Sequence, residues 1–112
     1  MNDARSTVLA RTAIARFAQL CGFPADRVAD IATAAGEALI AAAQYSNAKR
    51  GGGFSVTCTF EDQELRIEIQ GSAAAPASER SGGFGTIIMR TLMNEIAYSR
   101  GGTRVRLVKR MD

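Results

Sequence analysis

From Phe54 to Phe60 the chain alternates without a fault: Phe54, Val56, Cys58 and Phe60 fall to one side, Ser55, Thr57 and Thr59 to the other. A period of two describes a strand with one apolar face, and something must cover that face. Glu61-Asp62-Gln63 supplies a turn, and Leu65, Ile67 and Ile69 continue the alternation to about Gln70, which predicts an antiparallel hairpin. The cover lies upstream. Between about Ala4 and Cys21, the residues Val8, Leu9, Ile14, Phe17, Leu20 and Cys21 fall mostly on one side of a helical period, with Arg5, Arg11 and Arg16 between them. Gly22 is a stop signal, and Pro24 suits the first turn of a second helix from about Ala25 to Asn47. Its core stripe is Val28, Ile31, Ala35, Ala38, Leu39 and Ala42, and Gly51-Gly52-Gly53 breaks it before the hairpin.

Downstream, Gly71 to Gly85 is small, polar and glycine-rich, and reads as a mobile surface loop. Thr86 to Asn94 is apolar enough for a short helix, Glu95 to Ser99 for a strand, Arg100-Gly101-Gly102 for a turn, and Thr103 to Arg110 for a last strand with Val105 and Leu107 inward. The economical architecture is α+β, a two-layer sandwich with helices on one face of a mixed, mainly antiparallel sheet. At 112 residues a single domain is expected.

Composition removes several classes of chemistry. With no histidine and only Cys21 and Cys58, most zinc sites, Ser-His-Asp and Cys-His triads and a disulfide framework are excluded; both cysteines read as small core residues. The longest charge-free run, Ala38 to Ala48, is 11 residues, about half of what a spanning helix needs. Nothing resembles a secretory signal, so a cytoplasmic address is the expectation. Net charge is +3, but Arg100, Arg104, Arg106, Lys109 and Arg110 cluster without an acid. That stretch suits either nucleic acid or a solvated strand face, and Tyr98 alone is a poor stacking platform for bases, so nucleic acid ranks last.

Two places carry chemistry. Glu37 is a lone acid among Ala34, Gly36, Ile40 and Ala41, on a helix side where solvated residues would bring several charges, so something should cover it. Gly82-Gly83-Phe84-Gly85 leads into a helix N-terminus at Thr86. Glycines admit close backbone approach, and the unpaired amides of a first helical turn attract an anion such as phosphate.

The run SGGFGTIIMRTLMNEIAYSRGGTRVRLVKR, with DIATAAGEALIAAA upstream, resembles the anti-sigma factor serine/threonine kinases of the histidine-kinase-like ATPase superfamily, over nearly the whole chain from about Arg11. The resemblance implies that fold, ATP and magnesium as cofactors, and a single histidine-kinase-like ATPase domain over residues 1–112, with the family's first strand short or missing. It implies Glu37 as general base, and Gly82, Gly83, Gly85 and Thr86 as the phosphate-holding motif. It places Gln70 and Ser72 at two positions of the Asp-x-Gly-x-Gly motif that holds adenine, with Ala74 at the third. Here the chain departs from the pattern. The magnesium-binding asparagine is Ala41, whose methyl group cannot coordinate a cation, and a family histidine falls at Tyr45. Asn47 is out of phase with Glu37 and is no substitute, and the lid is short.

Three functions compete on these grounds. A regulatory module with a degenerate ATP site would capture a sigma factor or an anti-sigma factor antagonist (STAS-type). An active kinase would phosphorylate that antagonist. A nucleic-acid binder would use the basic hairpin. The resemblance also implies a homodimer.

Overall fold

The computed structural model describes residues 4–46 and 53–111. Helix α1 (Ala4–Cys21) and helix α2 (Ala25–Ser46) come first, then strands β1 (Phe54–Glu61) and β2 (Glu64–Gly71). Helices α3 (Ala77–Gly82) and α4 (Phe84–Leu92), strand β3 (Glu95–Ser99), a single 3-10 turn (Arg100–Gly102) and strand β4 (Arg104–Arg110) complete the order. Asn47 and the first two glycines of Gly51-Gly52-Gly53 lie outside the described residues.

The sheet order is β1-β2-β4-β3. Every pairing is antiparallel, so the parallel member that a mixed sheet would hold is not among the described strands. The hairpin turns on Asp62 (φ 54°) and Gln63 (φ 63°), two left-handed residues whose twist matches that of the flanking strands. β4, last in the chain, lies between β2 and β3.

Helix α1 ends as its glycine signals. Gly22, at φ 107°, donates to the Gln19 carbonyl at 3.0 Å, and Phe23 donates to Ala18 at 3.2 Å, so both orphan carbonyls are satisfied. The turn buries Phe23, whose ring meets Phe60 edge-on at 6.0 Å. Pro24 caps α2, its carbonyl accepting from Val28 at 2.9 Å.

The core joins Ile14 and Ala18 of α1, Val28, Ile31, Ala34, Ala35, Ala38 and Leu39 of α2, Leu65, Ile67 and Ile69 of β2, and Val105 and Leu107 of β4. On α1 the inward stripe differs from the expected one: Val8, Leu9 and Leu20 are 48%, 63% and 80% exposed. Ile14, Phe17 and Cys21 face in as expected, and Ala10 and Ala18 join them. Small alanines are what let α1 lie close to its neighbours, and an apolarity pattern does not weigh them.

The expected loop over 71–85 is corrected too. Helix α3 occupies its second half, and α4 begins at Phe84 and ends at Leu92, two residues earlier at each end than the expected Thr86 to Asn94. The segment is tied down: Gly71 donates to Thr103 at 2.8 Å, and Arg80 Nη1 donates to Ala75 at 3.1 Å and Gly101 at 3.4 Å. At the opposite end, Lys109 Nζ donates to the Leu92 carbonyl at the C-terminus of α4, and Arg27 Nη1 bonds the Arg110 and Met111 carbonyls at 3.1 and 3.0 Å. Among the described residues, no helix is long and apolar enough to cross a membrane.

Candidate functional site

Glu37 and the glycine cluster, 45 or more residues apart in sequence, meet where α2 packs against α4. A Cβ on Gly85 would lie 3.0 Å from Glu37 Oε1, so glycine is what admits the carboxylate beside the first turn of α4. On α1's side of α2, the Arg11 stem packs on Gly36, where its Cδ would be 3.2 Å from a Cβ. Glu37 is half-buried.

Gly83 is held differently. Its N–H donates to the Glu79 carbonyl at 2.9 Å, and a Cβ there would lie 2.7 Å from that carbonyl oxygen and 2.9 Å from Glu79 Oε1. Gly82, the last residue of α3, has open space around it. Thr86 is buried: its hydroxyl donates to the Glu79 carbonyl at 2.9 Å and lies 3.0 Å from the Tyr98 hydroxyl. A threonine hydroxyl has one proton, so Tyr98 donates to Thr86 in return.

Two clefts lie under this roof. The inner one, about 40 Å³, is lined among others by Ala38, Ala41, Ile69, Ala73, Ala75, Met89 and Tyr98. It has room for a few waters at most. The outer one, about 120 Å³, is lined by Glu37, Ile40, Ala41, Gln44, Tyr45, Ala75, Glu79, Gly85, Thr86, Met89 and Tyr98. Pockets that take drug-sized ligands are typically ~300–1,000 Å³. Among the described residues that line the outer cleft, the charged groups are two carboxylates, with no lysine or arginine. A helix N-terminus attracts negative charge, and here Glu79 stands against Gly83 and Glu37 against Gly85. Two of the chain's own acids thus lie beside the glycines that lead into α4.

Gln70 and Ser72, expected at the adenine end, line neither cleft. The Gln70 amide is fully engaged: Nε2 donates to Thr103 Oγ1 at 2.8 Å and to the Gly71 carbonyl at 2.9 Å, and Oε1 accepts from Arg104 Nε at 3.0 Å. Thr103 passes its own proton to the Arg100 carbonyl at 2.9 Å. The chain thus uses Gln70 to stitch the end of β2 to the β3–β4 turn. Ser72 is exposed in the bend after β2.

Ala41, at the position where the resemblance puts the magnesium ligand, lines both clefts and offers only a methyl. Sequence reasoning missed Glu79 and Tyr98. The first read as one acid in a polar loop, and the second as the lone aromatic of the basic tail. That tail is not a bare cationic patch either: Arg110 pairs with Glu64 at 3.2 Å and with Glu95, and Arg104 lies 4.0 Å from Glu68.

The family model described as a histidine kinase-like ATPase domain matches residues 1–109. Among curated proteins, none matches the chain.

Proposed function

The chain belongs to the histidine kinase-like ATPase domain family, and within it we propose a regulatory protein of the anti-sigma type that acts by holding a partner rather than by turning over ATP. The observation that carries this reading is the pair of carboxylates beside the glycine cluster, Glu37 by Gly85 and Glu79 by Gly83. An incoming triphosphate would have to displace or neutralise both carboxylates, and phosphoryl transfer relies on the cation that position 41 does not help to hold.

Protein capture is supported by the helix layer beside the clefts. Ile40, Phe84 and Ile87 are 52%, 78% and 52% exposed, and exposed apolar groups collected in one region mark contact surfaces. A sigma factor or a STAS-type antagonist is the partner class proposed, in the cytoplasm. The second reading, a kinase acting on that antagonist, draws on Glu37 lying beside the glycine motif as a general base would.

Calorimetric titration with Mg-ATP separates the two. The regulatory reading expects no heat of binding at millimolar nucleotide, and a restored response when Ala41→Asn is combined with Glu79→Gln. Tight binding by the unaltered chain, or phosphate transfer to an antagonist domain, overturns it.

A further inference from the structure

The chain's only two cysteines, 37 positions apart in sequence, lie on elements that pack together. Cys21 is the last residue of α1, and Cys58 stands mid-way along β1. Alternate residues of a strand share a face, so Cys58 is on the same side of β1 as Phe60, two positions on. That side meets the end of α1. Phe23, two positions beyond Cys21, is buried with its ring edge-on to Phe60, centroids 6.0 Å apart. The ring contact brings the α1 C-terminus down on β1, and the residue two positions back on each segment is a cysteine.

Both cysteines pack on the rim of the same core cluster, and both are free and half-buried. Their thiols sense each other, since charge on Cys21 disfavours ionisation of Cys58. Cys21 lies between Leu20, which is 80% exposed, and the exposed Gly22, so a small reagent can reach it.

We propose that Cys21 and Cys58 form a reversible redox staple, a disulfide that fastens α1 to strand β1 when the chain meets a small-molecule disulfide such as oxidised glutathione. The Cys21 thiolate attacks one glutathione sulfur and expels a glutathione thiolate, leaving a mixed disulfide. The Cys58 thiolate then attacks the Cys21 sulfur and expels the second glutathione thiolate. Two protein thiols are oxidised, one glutathione disulfide is reduced, and the two thiol protons end on the two released glutathiones. Burial holds both protein thiols above their ordinary range, so the pair closes slowly and answers sustained oxidation rather than a passing pulse. In a reducing compartment it stays open. Closure joins the two ends of a segment that contains all of α2 and takes freedom from the unfolded chain. None of this depends on the clefts or on the proposed partner.

The full chain, equilibrated at neutral pH in glutathione buffers from reduced to oxidised, tests the staple. Oxidation should give a monomer two hydrogens lighter by intact mass, with Cys21 linked to Cys58 in the peptide map. Its urea midpoint should rise by about 1–2 M and fall back on addition of dithiothreitol. Cys21→Ser and Cys58→Ser should each abolish the rise while keeping the midpoint of the reduced parent. Where either variant fails to fold, the oxidised and reduced midpoints of the parent decide alone. Thiols that stay free at equilibrium, or that carry only single glutathiones, overturn the proposal. So does a disulfide found only between two chains, or one that lowers the midpoint, as a link forced between misplaced thiols would.

Discussion

Three glycines within four positions lie in different surroundings, and alanine at each should therefore have a different effect. At Gly83 a Cβ would meet the Glu79 carbonyl oxygen at 2.7 Å and Glu79 Cα at 3.0 Å, and both atoms are backbone. The α3–α4 corner cannot yield without moving, and overpacking of this kind costs about 1–3 kcal/mol. At Gly85 the obstacle is the end of a flexible side chain, Glu37 Oε1 at 3.0 Å. Its displacement offsets the ~0.5–1 kcal/mol that alanine gains over glycine inside a helix, leaving a net change near zero. At Gly82 nothing lies within 4 Å, so Gly82→Ala should stabilise by about 0.5–1 kcal/mol. Urea unfolding followed by circular dichroism is a sufficient assay. With a slope of ~1–3 kcal/mol per molar, a loss of 2 kcal/mol lowers the midpoint by about 1 M. The expected order of stability is Gly82→Ala, then Gly85→Ala near the parent, then Gly83→Ala. Coincident midpoints for Gly82→Ala and Gly83→Ala would refute the reasoning.

Thr86→Val should cost about 1–3 kcal/mol, measured in the same way, because it strips the part-buried Tyr98 hydroxyl of its partner and leaves the Glu79 carbonyl with the Gly83 N–H alone. Tyr98→Phe should cost less. Glu64 accepts Arg66 at 2.9 Å and Arg110 at 3.2 Å, and the Arg66 hydrogen bond foremost holds its carboxyl below the usual range. Its stabilising share is therefore present above the ordinary carboxylate value and lost as pH falls through the lowered one; Arg66→Ala should move Glu64 upward in an NMR titration and start acid unfolding at higher pH. Burial, and then the neighbouring Cys21, raises the Cys58 thiol, so its alkylation should be slow at neutral pH and accelerate only in alkali. Gln63→Gly should raise stability by about 0.5–1 kcal/mol, since a glutamine holds φ 63° in the hairpin turn.

Much of the fold was legible because its signals are local. The alternation of Phe54 to Phe60, the stop at Gly22 and the inward Val105 and Leu107 each depend on neighbours a few residues away. What misled was α1, where bulk suggested Val8, Leu9 and Leu20 for the core and close helix packing selected Ala10 and Ala18. At the site, the meeting of Glu37 with Gly85 could be anticipated only through the family resemblance. The engagement of Gln70 by Thr103 and Arg104 spans 33 and 34 residues, and nothing near Gln70 announces it. Glu79 was hidden for a similar reason: its bearing comes from a short helix that a segment of alanine, serine and glycine does not advertise.

The placement of β4 governs how this chain comes into being on a ribosome. Synthesis delivers both long helices and the β1–β2 hairpin early, yet Ile67 and Ile69 keep one flank bare, and β3 has no neighbour, until residues 104–110 emerge. Closure is thus deferred to a late event, and any nascent or prematurely stopped product lacking that strand presents greasy, unpaired edges to chaperones and proteases.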